Sequence, residues 1–206
     1  MNINKNKILF VILAGGESKR FGGGFKTFYK INNKSIFERI LKILKKNKIE
    51  IVINANKNHE QFKKFNLPII KDKKKGFLGP LAGIHSSIDW CLNKYQTKEW
   101  VFTVPSDTPF LPDNLLNHFC NKLNQNVQIL VARSNKKVHP VVSMWNVNLL
   151  KSLEKELNQN NRKIMNLVEK HNFNFVDFDF EIVDPFFNIN TVEDLKIAKN
   201  FDQLNA

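Results

Sequence analysis

The sequence is short of cysteine and has no long hydrophobic run, and both absences narrow what the protein can be. Its two cysteines, Cys91 and Cys120, lie in helical patterns and form no Cys-x-x-Cys pair. We therefore expect buried apolar side chains rather than metal ligands or a disulfide. No apolar run approaches the ~20 residues needed to cross a bilayer. The N-terminus leads straight into the first predicted strand without a separate apolar signal segment. We expect a cytoplasmic protein with no membrane partner.

Acidic residues are also scarce: the chain has 19 Asp and Glu against 32 Lys and Arg, which gives a net charge of +13. Nucleic-acid binding is one interpretation of this charge; a basic surface that meets small anionic molecules is the other. The cations are spread over many segments, and the densest run, residues 71–75, is short and interrupted by Asp72. The sequence has no arginine-rich stripe. We therefore favour small anions as partners and expect no nucleic acid.

The hydrophobic pattern of the 206 residues predicts one α/β domain with a sizeable core. Short apolar runs alternate with helical patterns over the first two thirds, which predicts a mostly parallel sheet with helices on both faces. The last third mixes both patterns and predicts a small antiparallel excursion, in which Pro140 suggests an edge strand or an irregular start. The predicted strands are residues 8–13, 49–53, 68–71, 100–104, 127–132, 138–145 and 173–180. The predicted helices begin at Ser35, near residue 58, near Pro80, at Pro112, after Asn146, at Ile164 and after Thr191.

A glycine-rich loop follows the first predicted strand. Residues 15–24 contain five glycines, and Lys19, Arg20 and Lys26 accompany them. Free backbone N–H groups in such a loop form a concavity that binds anions, and neighbouring cations offset phosphate charge. The pattern predicts a phosphate-binding loop, although a flexible connection with solvated cations is the alternative. It is not a P-loop, because Phe25 separates the last glycine from Lys26. It is not a dinucleotide fingerprint either, because Thr27 stands where the third glycine belongs.

Polar residues also follow three later strands, at the edge where ligands bind in open α/β sheets. Asn54 and Asp72 end the second and third predicted strands; turn formation is the alternative role for such residues. Asp107 follows a central strand and is placed to hold Mg²⁺, which prefers one or two carboxylates plus substrate phosphates. Gly83 inside a predicted helix indicates close approach by a neighbouring element or a ligand. For His139, a packing role is favoured over a ligand role.

Five segments, read together, resemble a known enzyme family. They are Leu13-Ala14-Gly15-Gly16…Arg20…Lys26, Asn54-Ala55-Asn56, Gly79-Pro80-Leu81-Ala82-Gly83, Pro105-Ser106-Asp107-Thr108-Pro109 and Phe187-Asn188-Ile189-Asn190-Thr191. His139-Pro140 is a sixth, looser match. The chain resembles the molybdenum cofactor guanylyltransferases (MobA-type) of the sugar-nucleotide-type nucleotidyltransferase superfamily. This resemblance implies a single-domain, Rossmann-like three-layer sandwich over residues 1–206, with a nucleotide-binding part at about 7–130 and an acceptor-side part at about 131–206.

The resemblance also implies an activity: transfer of GMP from GTP to molybdenum-bound molybdopterin, with release of pyrophosphate. Mg²⁺, or Mn²⁺ in its place, would assist, and molybdoenzyme maturation proteins are further candidate partners. The implied nucleotide-binding residues are Leu13, Ala14, Gly15, Lys26, Asn54, Asp72 and Asp107, with Asn188 and Asn190 on the pterin-side or catalytic wall. The implied catalytic residues are Asp107, which also ligates the metal, with Lys26 and Arg20, and Arg162 is a weaker candidate for the phosphates.

Three other interpretations stay open from the sequence. The first is a related nucleotidyltransferase that uses CTP, with molybdopterin or a sugar or polyol phosphate as the acceptor. The second is a non-catalytic nucleic-acid-binding module, suggested by the charge of +13. The third is a nucleotide-binding protein that docks onto molybdoenzyme chaperones.

Overall fold

The computed structural model describes residues 4–15, 25–57, 59–74 and 79–204. Within these residues there are nine strands. They are β1 (Ile8–Leu13), β2 (Lys30–Ile31), β3 (Lys34–Ser35), β4 (Ile51–Asn54), β5 (Ile69–Ile70), β6 (Trp100–Pro105), β7 (Ile129–Ser134), β8 (Lys137–Asn146) and β9 (Phe173–Phe178). Seven of them form one sheet in the order β5-β4-β1-β6-β8-β7-β9, and β2 and β3 form a separate hairpin. The predicted mostly parallel α/β sheet is thereby confirmed.

Seven α-helices flank this sheet in the described part of the chain. They are α1 (Ile36–Lys45), α2 (His59–Lys63), α3 (Pro80–Lys94), α4 (Leu115–Asn121), α5 (Leu150–Asn158), α6 (Ile164–Val168) and α7 (Val192–Leu204). Helix α1 begins where the sequence predicts. The Ser35 hydroxyl accepts from the Glu38 amide and the Glu38 carboxylate accepts from the Ser35 amide, which satisfies two amides that lack partners inside the helix. Proline at the first turn of α3 is confirmed as well.

The two faces of the sheet bury separate cores. All six residues of β1 are buried, and alternate residues face opposite sides. Ile8, Phe10 and Ile12 join the core covered by α1, α2, α4 and α7. Leu9, Val11 and Leu13 join the core covered by α3, α5 and α6. The sheet is therefore the middle of three layers, and its carboxyl-end edge is left for a ligand.

The antiparallel excursion is strand β8, which lies between β6 and β7 and runs antiparallel to both. The expectation that Pro140 marks an edge strand is therefore wrong, whereas the expected irregularity is confirmed. Val131 pairs with Ser143, but the next residue of β7 pairs with His139. Residues 140–142 thus bulge out of the β7–β8 ladder, and Pro140, which has no N–H to donate, lies within this bulge.

Several predicted boundaries differ from the structure by one to three residues. Helix α4 begins at Leu115, three residues after Pro112, because a turn precedes it. Strand β7 lies two residues further along the chain than the predicted strand. In the residues described, every helix is too short or too polar to cross a bilayer.

Candidate active site

A cavity of about 390 Å³ lies at the carboxyl ends of β1, β4 and β6. From β1 the chain continues to β4 and β5 on one side, and β6 pairs with β1 on the other, so strand order reverses here, where open α/β sheets bind ligands. The volume lies within the range of about 300–1,000 Å³ usual for small-molecule sites. The described residues that line the cavity are Leu13, Ala14, Gly15, Phe25, Lys26, Thr27, Asn54, Asn56, Asp72, Gly79, Pro80, Gly83, Pro105, Ser106, Asp107, Val141 and Asn188.

Asn54, Asn56 and Asp72 form an amide–carboxylate cluster on one wall. Asn54 Nδ2 donates to Asp72 Oδ1 over 3.0 Å, and Asn56 Nδ2 donates to Asp72 Oδ2 over 2.7 Å. The backbone amide of Asp72 donates to Asn56 Oδ1 over 2.8 Å. This cluster joins the ends of β4 and β5 and fixes the Asp72 carboxylate in one orientation. The sequence predicts that Asn54 and Asp72 lie at this edge, but not the two hydrogen bonds between Asn56 and Asp72.

Helix α3 approaches this cluster through Gly83. A Cβ atom at Gly83 would lie 2.7 Å from Asn54 Oδ1 and 3.0 Å from Leu13 Cδ2, so only glycine fits without a shift. The close approach predicted from the sequence is therefore confirmed, and the neighbour is the Asn54 side chain. Gly79, which precedes the helix, has a φ of +74°, a conformation that glycine adopts without strain.

Lys26 and Asp107 meet on the opposite wall. Lys26 Nζ donates to Asp107 Oδ2 over 2.6 Å and to Asn190 Oδ1 over 2.7 Å. The side chains of Lys26 and Asp107 are 17% and 15% exposed. This pairing connects the end of the glycine-rich segment, the end of β6 and the segment before α7. It brings together three residues that are 81 and 164 positions apart in sequence.

The second carboxylate oxygen of Asp107 is suited to act as a metal ligand. Asp107 Oδ1 is buried and has no hydrogen-bond partner among the described residues, which is costly unless a ligand completes the site. No group of three or more His, Cys, Asp or Glu in this part of the chain is arranged around one metal ion. A single hard carboxylate suits an ion that keeps several of its waters and also binds substrate phosphates.

Two further contacts hold the end of the glycine-rich segment in place. The Thr27 hydroxyl donates to the Ser106 carbonyl over 2.7 Å, and Thr27 is fully buried. The Phe25 ring packs on Phe28 and Phe62, with ring centroids 6.0 Å apart in both pairs. These anchors lie on either side of Lys26 in sequence. Sequence reasoning missed Thr27, because its partner is 79 positions away and no local pattern reports it.

Asn188 and Asn190 are exposed and belong to the segment between β9 and α7, and Asn188 lines the cavity. The Ile189 amide between them donates to the Asp107 carbonyl over 3.0 Å. The Thr191 hydroxyl and the Asp194 carboxylate exchange hydrogen bonds with each other's backbone amides, which is the reciprocal arrangement of a capping box.

The remaining candidates lie elsewhere. Arg20 lies outside the described residues. Arg162 is exposed between α5 and α6, and its Nε donates to Asn160 Oδ1 over 3.1 Å. His139 is buried against Phe186, with the two ring centroids 4.8 Å apart, and burial lowers the pKa of its imidazole. Its packing role is confirmed.

The fold and this arrangement of cation, carboxylate and cavity are those of a nucleotidyltransferase. A family model, the MobA-like NTP transferase domain, matches residues 10–174, and the chain belongs to this family.

Relatives match over nearly the whole chain. A molybdenum cofactor guanylyltransferase of Nitrobacter hamburgensis is 36% identical over 198 residues, which is 95% of each chain. A second, from Rhodopseudomonas palustris, is 35% identical over 92% of this chain and 91% of its own. The crystal structure of molybdopterin-guanine dinucleotide biosynthesis protein A from Archaeoglobus fulgidus matches with a TM-score of 0.72 at 24% identity, covering 95% of this chain and 99% of that one. That structure supports the fold.

Proposed function

We propose that the protein transfers GMP from GTP to molybdenum-bound molybdopterin, forming the guanine dinucleotide form of the cofactor and pyrophosphate. The observation that carries the proposal is the Lys26–Asp107 pair in a cavity that also holds the amide–carboxylate cluster. The full-length relatives named as molybdenum cofactor guanylyltransferases support this choice over CTP-using enzymes.

The two walls of the cavity suit different parts of a nucleotide. The Asp72 carboxylate would repel phosphates, and hydrogen-bond acceptors of this kind suit the N–H groups of guanine or the ribose hydroxyls. Lys26 suits the phosphates because its ammonium group offsets their charge. We therefore infer that the base or ribose lies beside Asn54 and Asp72. The triphosphate would run past the backbone of residues 13–15 toward Lys26, and Arg20 and Arg162 remain candidates for additional phosphate contacts.

Attack of a terminal phosphate on the α-phosphate of GTP brings two anions together, so positioning and charge neutralisation supply most of the catalysis. Lys26 would leave its ion pair in part to donate to the phosphates, while Asn190 keeps the ammonium group oriented. Asp107 would hold Mg²⁺, with Mn²⁺ as a substitute, and the bound ion supplies Lewis-acid stabilisation of the phosphates. The reaction needs no protein nucleophile.

The acceptor side of the reaction belongs, in this proposal, to about residues 131–206, and the nucleotide side to about residues 7–130 of the same domain. Asn188 and Asn190 would form the acceptor-side wall, because Asn188 lines the cavity and Asn190 accepts from Lys26 Nζ, which also lines it. A cytoplasmic reaction whose product passes to molybdoenzyme maturation proteins completes the proposal.

Pyrophosphate release tests it. The assay compares the four nucleoside triphosphates, each with and without molybdenum-loaded molybdopterin and Mg²⁺. We expect release with GTP only when the acceptor and the metal are both present. Asp107→Asn should lower the rate by about 100-fold or more, as removal of one electrostatic partner does at such sites. Asp113→Asn is the matched control, because the Asp113 side chain is 65% exposed and pairs with Lys46 at the surface. Release with CTP in place of GTP would contradict the proposal.

A further inference from the structure

A second polar cluster lies beside the acceptor-side wall. It consists of Ser134 at the end of β7, His139 on β8 and Asp184 after β9. The Ser134 hydroxyl lies 2.6 Å from His139 Nε2 and 2.9 Å from Asp184 Oδ1. Ser134 and His139 are 1% and 8% exposed, and the Asp184 side chain is 14% exposed. Polar groups with so little exposure need hydrogen-bond partners inside the protein, and these three side chains supply them.

The number of available hydrogens fixes the direction of these bonds. A hydroxyl has one hydrogen, and the Ser134 hydroxyl donates it to Asp184 Oδ1. His139 must therefore donate from Nε2 to Ser134 Oγ, so Nε2 carries a hydrogen, as it does in the Nε2–H tautomer of a neutral imidazole. Burial, which lowers the pKa of His139, favours that neutral form. Asp184 is therefore the last acceptor in a chain of two hydrogen bonds that begins at His139 on β8. Lys137 Nζ lies 3.6 Å from the other carboxylate oxygen of Asp184.

Asp184 also fixes the chain that follows it. Its Oδ1 accepts from the Phe186 amide over 2.9 Å, and its carbonyl accepts from the Phe187 amide over 3.0 Å. Residues 179–191 contain neither helix nor strand, so their shape depends on such local anchors. At the other end, the amide of Asn190 donates to Asp194 Oδ2 at the start of α7. The intervening segment, residues 184–190, is therefore held at both ends.

Between these anchors lie the contacts that reach the active site. Asn188 lines the cavity, and the Ile189 amide donates to the Asp107 carbonyl. Asn190 accepts from Lys26 Nζ over 2.7 Å. A displacement of about 1 Å at reacting groups can cost on the order of 100-fold in rate, so the anchor at Asp184 bears directly on the geometry of the site.

We propose that Asp184, held by Ser134 and His139, is a positioning residue that fixes residues 184–190 as the acceptor-side wall of the active site. The proposal rests on the proposed function for its choice of substrate. It assigns a role to the His139-Pro140 match, which the nucleotide site itself does not use. Asp184 acts here through Asn188 and Asn190 and touches no substrate.

Steady-state kinetics with GTP and molybdenum-loaded molybdopterin give the first test. In Asp184→Ala, we expect kcat/KM for the acceptor to fall by about 10- to 100-fold, with KM for GTP within twofold of wild type. Asp184→Asn keeps an oxygen that accepts from Ser134 and Phe186, so it should restore most of the rate. Asp179→Ala is the matched control, because Asp179 is exposed in the same connection. A rise of about 10-fold or more in KM for GTP, or unchanged kinetics in Asp184→Ala, would overturn the proposal.

Backbone hydrogen exchange without substrates gives the second test and separates the two proposals. We expect Asp184→Ala to speed exchange of the Ile189 amide by at least about 10-fold, while the Ala55 amide, which donates to the Ile70 carbonyl, keeps its wild-type rate. If Asp184→Ala unfolds, Ser134→Ala replaces it with the same expectation. Unchanged exchange at Ile189 would overturn the anchor. A wild-type chain without guanylyl transfer would contradict the proposed function, and the exchange result would still decide the anchor.

Discussion

Gly83 lies on α3 against the amide–carboxylate cluster. Whether its replacement by alanine raises or lowers the free energy of unfolding tests the geometry of this wall. In an open helix, Gly→Ala stabilises a protein by roughly 0.5–1 kcal/mol, because alanine loses less backbone entropy on folding. At Gly83 the added Cβ would lie 2.7 Å from Asn54 Oδ1. The side chain that must move is only 2% exposed and hydrogen-bonded to Asp72.

The least costly relief is rotation of the Asn54 side chain away from α3, which breaks its bond to Asp72. A hydrogen bond to a charged group contributes about 1.5–3 kcal/mol, which exceeds the gain in helix propensity. We therefore expect Gly83→Ala to lower the free energy of unfolding by about 1–2 kcal/mol. Because the moved groups face the cavity, we expect GTP affinity to fall by roughly 30-fold, the equivalent of about 2 kcal/mol.

Urea unfolding and calorimetric titration with Mg²⁺ and GTP measure the two effects, and a double-mutant cycle assigns them to Asn54. In an Asn54→Ala background the nearest obstacle is gone. The remaining close atom, Leu13 Cδ2 at 3.0 Å, is the end of a flexible side chain. There, Gly83→Ala should be neutral or stabilise the fold by up to about 1 kcal/mol. A stabilising effect in both backgrounds, with unchanged GTP affinity, would refute this description of the wall.

Two other substitutions and one labelling experiment have expected outcomes. Thr27→Val removes the hydroxyl bonded to the Ser106 carbonyl and should lower kcat by about 10-fold in the pyrophosphate assay. Lys98→Met leaves a β1 carbonyl without its buried donor and should cost about 1–3 kcal/mol of stability in urea unfolding without changing activity. The hydrogen bond from Lys98 to Glu50 holds the pKa of the Glu50 carboxyl below the usual 4.5. The stability advantage of the wild type over Lys98→Met should therefore narrow as pH falls through that lowered pKa. Cys91, whose thiol pKa burial raises to about 11, should react with a thiol reagent at pH 8 only after unfolding.

Each of these three predictions has a control or a contradicting result. Thr27→Ser keeps the hydroxyl and should retain most of the rate; equal losses in Thr27→Ser and Thr27→Val would point to packing instead. For Lys98→Met, a stability advantage of the wild type that grows as pH falls would contradict the predicted sign of the pH dependence. That sign follows because a carboxylate with a lowered folded-state pKa stabilises the fold above its unfolded pKa and loses this contribution on protonation. Fast labelling of Cys91 in the folded protein would contradict its burial.

Features encoded in local sequence were predictable. The apolar run of β1 matches its predicted bounds, and the Ser35 cap lies within a few residues of its partners. Gly83 is costly inside a helix, and that local cost correctly indicates a close neighbour. The polar ends of the strands carrying Asn54 and Asp107 could be placed at one edge, because parallel strands align their carboxyl ends.

Features that depend on which strands become neighbours were not predictable from the pattern. Pro140 suggests an edge strand locally, yet β8 is inserted between β6 and β7, and the bulge there accommodates the missing N–H. The contact of Thr27 with Ser106 and the anchoring of Asp184 by Ser134 span 79 and 50 residues. Such contacts exist only after the sheet order is set, so short-range periodicity carries no signal for them.

Single-turnover transfer from GTP labelled at the α-phosphate tests the central claim most directly. The reaction contains the protein, Mg²⁺ and molybdenum-loaded molybdopterin, and the label is followed by chromatography. We predict that the label moves into a molybdopterin dinucleotide without passing through the protein, and that Asp107→Asn slows this step by about 100-fold or more. Label that is released as free GMP, becomes attached to the protein, or moves equally fast in Asp107→Asn would contradict guanylyl transfer at this site.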